Sequence, residues 1–213
     1  MRTDELIRAL AAGAGPVEPR AASWRYAAAL AIGALGALVV VVGALGVNND
    51  LPSLVRLPMF WVRAAFAASV AGTALVALAR LARPGVPLGR ASVAMVAPML
   101  AMWALGAIVL VLAEPMMRAM LVLGSTWKTC PLNITLASIP ALVALLWAIR
   151  GLAPTRPVMT GATAGRLAGG VGALVYTLHC PELEAPFLGV WYVIGMAIPA
   201  AIGALLGPKL LRW

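Results

Sequence analysis

Charge is scarce in this chain. Only 11% of its 213 residues are charged, and only seven are acids. A soluble domain carries about 25% charged residues, so there is almost no room for one here. Histidine occurs once and cysteine twice, without a Cys-x-x-Cys pair. That argues against a thiol oxidoreductase, which needs such a motif or a second cysteine pair. What fills the chain instead is apolar: 63% of it is hydrophobic and its mean hydropathy is +0.98.

A transmembrane helix needs about 20 consecutive apolar residues. Six such spans can be read, at about Trp24–Val47, Pro58–Ala82, Ala91–Ala113, Leu132–Ile149, Val158–Leu178 and Phe187–Leu206. Trp24, Tyr26, Phe60, Trp61, Trp127, Trp191 and Tyr192 mark span edges, where amphipathic rings favour the headgroup level. The first span is too long for a signal peptide, and Asn48-Asn49-Asp50 offers no small-residue cleavage site after it. The expected fold is all-α, a polytopic membrane protein. Residues 1–23 form a cytoplasmic arm and residues 24–213 a six-helix transmembrane domain.

Basic residues in the loops give the orientation. Arg2, Arg8, Arg20, Arg25, Arg80, Arg83, Arg90, Arg150, Arg156, Lys209 and Arg212 fall on one side, Arg56, Arg118 and Lys128 on the other. Eleven against three places both termini in the cytoplasm. Asp50, Glu114, Glu182 and Glu184 then lie outside. The net charge of +9 is spread over four short cytoplasmic segments. It is a topology signal facing anionic lipid and implies no direct contact with nucleic acid.

Chemistry concentrates at the outer face. Cys130 precedes the fourth span and Cys180 follows the fifth. The hairpin of those spans carries both thiols at its outer end, where a disulfide is permitted. His179, Cys180 and Glu182 are neighbours in sequence, and with Cys130 they make a plausible soft-metal set. A structural disulfide is the plainest reading. The chain-entropy formula gives roughly 4 kcal/mol for such a loop, a figure too high where a bilayer already confines both helices. A sensor of oxidants or thiol-reactive metals fits better, with exposed thiols, an imidazole to lower a thiol pKa and a resolving partner.

Inside the spans, Gly161, Gly165 and Gly169, then Ala173, recur at four-residue spacing in the fifth; Gly195, Pro199, Gly203 and Gly207 do so in the sixth. Small residues on one face let helix backbones approach closely. Arg63 sits near the outer end of its span and is expected to snorkel to the interface. Arg166 lies deeper, a candidate functional residue whose stem is also long enough to reach cytoplasmic headgroups. No acid lies within a span to pair with it, so the acid chain of a proton-coupled transporter is missing.

In the arm, Thr3 suits an N-cap and Asp4 and Glu5 suit the first turn of a helix. Leu6, Ile7 and Leu10 form a short apolar stripe before Gly13, Gly15, Pro16 and Pro19 break it. So short a helix is marginal alone and needs a surface, either the membrane or a protein groove. The few apolar residues favour a protein.

Three segments then stand out: Thr3-Asp4-Glu5-Leu6-Ile7 with Leu10-Ala11; Trp127-Lys128-x-Cys130-Pro131; and a C-terminal run. That run holds Leu178-His179-Cys180-Pro181-Glu182, Trp191-Tyr192 and Gly207-Pro208-Lys209-Leu210-Leu211-Arg212-Trp213. Over nearly its full length the chain resembles the NrsF family, negative regulators of sigma F. The resemblance implies a six-span anti-sigma factor of the bacterial inner membrane and no enzyme. It implies an arm (Thr3, Asp4, Leu6, Ile7, Leu10) that holds an extracytoplasmic-function sigma factor. It also implies that Cys130 and Cys180 take part in stress sensing. The competing expectation is a small transporter or channel for a metal or organic solute, with Arg166 and the thiols on its path.

Overall fold

The computed structural model describes residues 3–12, 21–83, 85–152 and 154–211. All regular structure among them is helical. Helix α1 spans Thr3–Ala12, and α2 runs over Ala21–Val40 and continues as a π turn, Val41–Leu45. A short α3 (Leu51–Leu54) precedes the long helices α4 (Pro58–Leu81) and α5 (Arg90–Leu112). An α6 of nine residues, Pro115–Leu123, leads to α7 (Cys130–Arg150) and α8 (Pro157–Tyr176). The one-turn α9 (Ala185–Phe187), a π turn at Leu188–Tyr192 and α10 (Val193–Leu210) form one continuous final rod.

Proline in the first turn opens α4, α6, α7 and α8, where its missing N–H is one the helix could not have used. The first π turn stops at Gly46, whose φ of 83° is readily adopted only without a side chain.

Among the described residues, five helices are long and apolar enough to cross a membrane: Ser23–Leu45, Pro58–Leu81, Arg90–Leu112, Cys130–Arg150 and Ala185–Leu210. They match five of the six expected spans to within a few residues. The remaining one, α8, carries Thr160, Thr163, Arg166 and a run of glycines. Its position explains how it carries them. It packs against α10, α7 and α4, so most of its surface meets protein. Thr160 and Thr163 each return their hydroxyls to the carbonyl four residues back, at 2.9 and 2.8 Å. Arg166 donates to the Met95 carbonyl and, at 3.4 Å, to the Met99 sulfur, both on α5. It therefore ties α8 to α5 and does not reach outward to headgroups.

The expected glycine seam is present between α8 and α10. A Cβ on Gly165 would lie 2.0 Å from the Pro199 carbonyl oxygen, and one on Gly203 would lie 2.1 Å from that of Gly161. The helices touch backbone to backbone, as small-residue faces allow.

The core divides along the bundle axis. One cluster joins Tyr26, Leu78, Leu142, Leu145, Ile149 and Leu211. The other joins Phe66, Met102, Cys130, Ile134, Tyr176, Cys180, Phe187 and Tyr192. At the first end the 82–90 and 150–157 loops meet, and Arg83 and Arg156 line a shared cleft. Arg25 and Arg150 line another, about 370 Å³ in volume. Arg25, Arg83, Arg150 and Arg156, four of the basic residues that set the expected orientation, thus lie at the end away from the cysteines.

Candidate thiol site

Cys130 is the first residue of α7, and Cys180 lies four residues beyond the end of α8. The α7–α8 hairpin brings their thiols side by side as free cysteines. Both are fully buried, at 0% exposure. The expectation of exposed thiols is therefore corrected: aromatic rings close over them. The Tyr176 hydroxyl reaches the Cys130 thiol and lies 3.4 Å from Asn133 Nδ2, which donates to it. Tyr192 is buried beneath. Its hydroxyl makes no hydrogen bond of ordinary geometry, yet sits near enough to the Cys180 sulfur to favour the thiolate.

The residue that sequence reasoning misplaced is Arg63. Instead of snorkelling, it is fully buried, at 0% exposure. Its guanidinium donates to the carbonyls of Cys180 at 2.8 Å, Glu182 at 2.7 Å and Thr177 at 2.9 Å. The segment after α8 curls so that these three oxygens converge, as unpaired carbonyls at a helix C-terminus attract a cation. The signal was available: an arginine inside a span without an acid partner is a functional candidate by default.

The Cys180 thiol is pulled down to about 7. The Cys130 thiol beside it is the largest influence; burial opposes it; the Arg63 charge, the Glu182 N–H and the Tyr192 hydroxyl all favour the thiolate. The imidazole expected to do this is engaged elsewhere. His179 Nδ1 lies 2.8 Å from the Gly46 carbonyl oxygen, and its ring leans on Tyr176 with centroids 5.4 Å apart.

Glu182 also turns away from the sulfurs. Its Oε1 accepts from Ser125 N at 2.7 Å, Ser125 Oγ at 2.6 Å and Thr126 N at 3.2 Å. Trp191 Nε1 donates to the Val122 carbonyl at 2.8 Å. The α6–α7 turn is thereby latched across the site. Gly124 permits the closure, because a Cβ there would lie 2.8 Å from the Glu182 carboxyl. The four-ligand metal set Cys130, His179, Cys180 and Glu182 does not come together. Among the described residues no group of three or more His, Cys, Asp or Glu is placed to hold a metal. Two sulfur donors are what the site offers.

Of the arm, Ile7 is 58% exposed and Thr3 and Asp4 are exposed. The helix reaches Ala12 as expected. Thr3 is the first described residue of the helix. The side chains of Leu6 and Leu10, and the expected break at Gly13, Gly15, Pro16 and Pro19, lie outside the described residues.

Comparison with known proteins gives the chain's relatives. The family described as "Negative regulator of sigma F" matches residues 10–213. The chain is 50% identical, over the full length of both, to the "Probable anti-sigma-F factor NrsF" of Azospira oryzae. It is 39% identical, again over both full lengths, to the "Anti-sigma-F factor NrsF" of Caulobacter vibrioides. No solved structure matches. A conserved-length relationship of that closeness, on top of a helical membrane-type body, leaves one assignment: the chain belongs to the NrsF family of negative regulators of sigma F.

Proposed function

We propose that this protein is a six-span anti-sigma factor of the bacterial inner membrane with both termini cytoplasmic. It holds an extracytoplasmic-function sigma factor through α1 and releases it when Cys130 and Cys180 react with an oxidant or a soft metal ion. The carrying observation is the convergence of the only two cysteines in one buried contact, at the opposite end of the bundle from the basic loops. In support of α8 as the fifth span, a helix walled in by α4, α7 and α10 can tolerate polar and small residues that lipid would not. In support of the arm, Ile7 stands exposed on a helix whose first turn is acidic.

The chemistry follows from the site. A hydroperoxide attacked by the Cys180 thiolate gives a sulfenic acid at Cys180 and an alcohol or water as the reduced product. The Cys130 thiol then displaces water from that sulfur to form the disulfide, and the two thiols together have given two electrons and two protons to the peroxide. A soft metal instead takes the two sulfurs as ligands and releases the thiol protons. Either event alters the contact between the start of α7 and the segment after α8. From there α8 can slide on its glycine face against α10, moving the cytoplasmic ends near Arg156 and Lys209. A ligand shifts such an equilibrium only by its differential affinity for the two arrangements. The transporter reading is weaker, because Arg166 is tied to α5 and the thiols are sealed.

Co-purification from detergent tests the partner. A sigma factor should come down with the parent protein and be lost from a variant with Leu6, Ile7 and Leu10 replaced by Glu. Each apolar side chain buried at an interface contributes about 1.5–3 kcal/mol. Three are enough to dissolve a micromolar complex of about −8 kcal/mol. Retention of the sigma factor by that variant would overturn the arm's role.

A further inference from the structure

We propose that Arg25 and Arg150, with Trp147 and Gly151, form a headgroup site for one anionic phospholipid between α2 and α7, whose acyl chain lies along Trp147, Val143 and Ile139. Only the leaflet of origin, the cytoplasmic one, rests on the proposed topology. The binding itself does not depend on the sensor.

The cleft starts from two unanswered charges. Arg25 lies near the start of α2, and Arg150 ends α7. Both are exposed and line one opening of about 370 Å³, within the roughly 300–1,000 Å³ of ligand clefts. Among the described residues neither has a hydrogen bond or an ion pair. Two like charges in one opening repel, and an anion between them turns that repulsion into attraction. The helix terminus does not fill this role, because the last carbonyls of α7 carry only about half a negative charge. A phosphate does, since each guanidinium presents a planar fork of donors that matches its oxygens.

Gly151 seats one of the pair. It follows directly on Arg150, and a Cβ on it would collide with Arg25 Nη1. Its bare Cα lets the Arg25 guanidinium cross from α2 onto the end of α7. The two helices run antiparallel, since Gly33 packs on Ala141 and Gly36 on Pro140 farther along the same contact. The apolar side of the cleft favours a lipid over an acidic protein or a free phosphate. Trp147, one wall of it, is 75% exposed. Val143 and Ile139, one and two turns away, are exposed as well. The three lie on one face of α7 at four-residue spacing, about 12 Å from first to last. This helix is long and apolar enough to cross a membrane, so Val143 and Ile139 lie at acyl-chain depth and the indole at the headgroup level. A soluble partner reaches the arginines but not the stripe; a phospholipid covers both. Basic pockets between helices on the cytoplasmic side suit such headgroups. A lipid held there fastens this end of the bundle to one leaflet.

Native mass spectrometry of the full-length protein, stripped of lipid in detergent, measures the first lipid to bind. Dioleoylphosphatidylglycerol is the probe, and dioleoylphosphatidylcholine offers the same chains without net charge. Two arginines favour an anionic lipid by about thirtyfold, and the parent should show that preference. Arg25→Gln/Arg150→Gln should bring the ratio close to one. Gly151→Ala keeps every charge but pushes the Arg25 guanidinium aside, so it should lower the ratio several-fold. Arg56→Gln/Arg118→Gln removes the same charge at two other exposed positions and should leave the ratio at the parent's value. All these side chains are on the surface, so the variants should melt with the parent in lipid-free detergent. Equal affinity for the two lipids in the parent overturns the proposal. So does a parent-like ratio in Arg25→Gln/Arg150→Gln or in Gly151→Ala, or an equal loss in the Arg56→Gln/Arg118→Gln control. Should the Arg25→Gln/Arg150→Gln protein fail to fold, Gly151→Ala decides. Displacement of the lipid by inorganic phosphate at the same concentration would do away with the acyl lane and overturn the proposal too. An Arg25→Gln/Arg150→Gln protein that keeps the lipid ratio but no longer brings down a sigma factor would assign the cleft to a protein instead. The sensor reading fails separately, if a Cys130→Ser/Cys180→Ser strain still induces normally, and that result leaves these ratios untouched.

Discussion

The two ends of the bundle solve opposite problems. The basic end is aliphatic inside and cationic outside. Arg25 and Arg150 line an open cleft there with Trp147, and among the described residues neither makes a hydrogen bond or ion pair. Such an end needs only to stay on its own side of a membrane. The thiol end is knotted. Segment 177–184 is bonded to the end of α2 through Asn48 N to the Leu178 carbonyl at 3.0 Å and through His179. It is bonded to α4 through Arg63 and to the α6–α7 turn through Glu182. One short stretch of chain is therefore bonded to three others. The contrast teaches that side-chain hydrogen bonds between distant segments concentrate at the thiol end, while the basic end presents charge to its clefts.

The largest expected effect comes from the seam that links the two ends. Gly165→Leu would drive a side chain into the Pro199 carbonyl at 2.0 Å. Overpacking typically destabilises by about 1–3 kcal/mol, and a backbone contact cannot yield as a side chain does. Thermal unfolding in detergent should show loss of the folded species. A melting temperature equal to that of the parent would mean the helices are not in backbone contact.

Next come the cysteines. Ser at either Cys130 or Cys180 should leave repression of the sigma factor intact and abolish induction by thiol-reactive stress, read with a sigma-dependent reporter. Glu182→Gln should act less severely, weakening the latch while leaving both thiols in place. A hydrogen bond to a charged group contributes about 1.5–3 kcal/mol, so alkylation of the buried thiols by iodoacetamide should speed up about tenfold or more. No acceleration would show that the α6–α7 turn does not control access. At the other end, Arg25→Gln should change stability by no more than about 0.5 kcal/mol and leave thiol reactivity as it was. A change at the cysteines from this variant would erase the distinction between the ends.

Sequence periodicity and apolar run length located the long helices, because lipid exposure demands the same thing of every residue that meets it. They also read α8, as the expected span Val158–Leu178, but could not show what surrounds it. Its hydropathy is diluted by glycine, threonine and Arg166, and only the neighbours packed around it account for that dilution. The thiol end was half legible. Cysteines on either side of a hairpin must share an end, so Cys130 and Cys180 were readable as a pair. His179 and Glu182 were adjacent in sequence and seemed adjacent in chemistry, but the chain turns at Pro181 and points their side chains to Gly46 and Ser125. Arg63 is distant in sequence from Cys180, whose carbonyl it holds. Nothing in a single span reveals which carbonyls will gather around its guanidinium. The short α6 was not anticipated, since nine residues leave too little pattern to separate from loop.

The enclosure of α8 has a consequence for how the protein is made. A helix this rich in glycine, with an arginine in its middle, partitions poorly into lipid by itself, because a central arginine disfavours insertion by about 2.5–3.5 kcal/mol. In the six-span arrangement α8 would therefore wait at the insertion machinery for partners. α4 and α7 precede it in the chain, but α10 follows. The nascent protein would commit its fifth crossing only after the sixth has been synthesised. A ribosome stalled before Val193 would then hold both cysteines in a chain that has not yet closed around them, so the thiol site would form last, at the moment the topology becomes final.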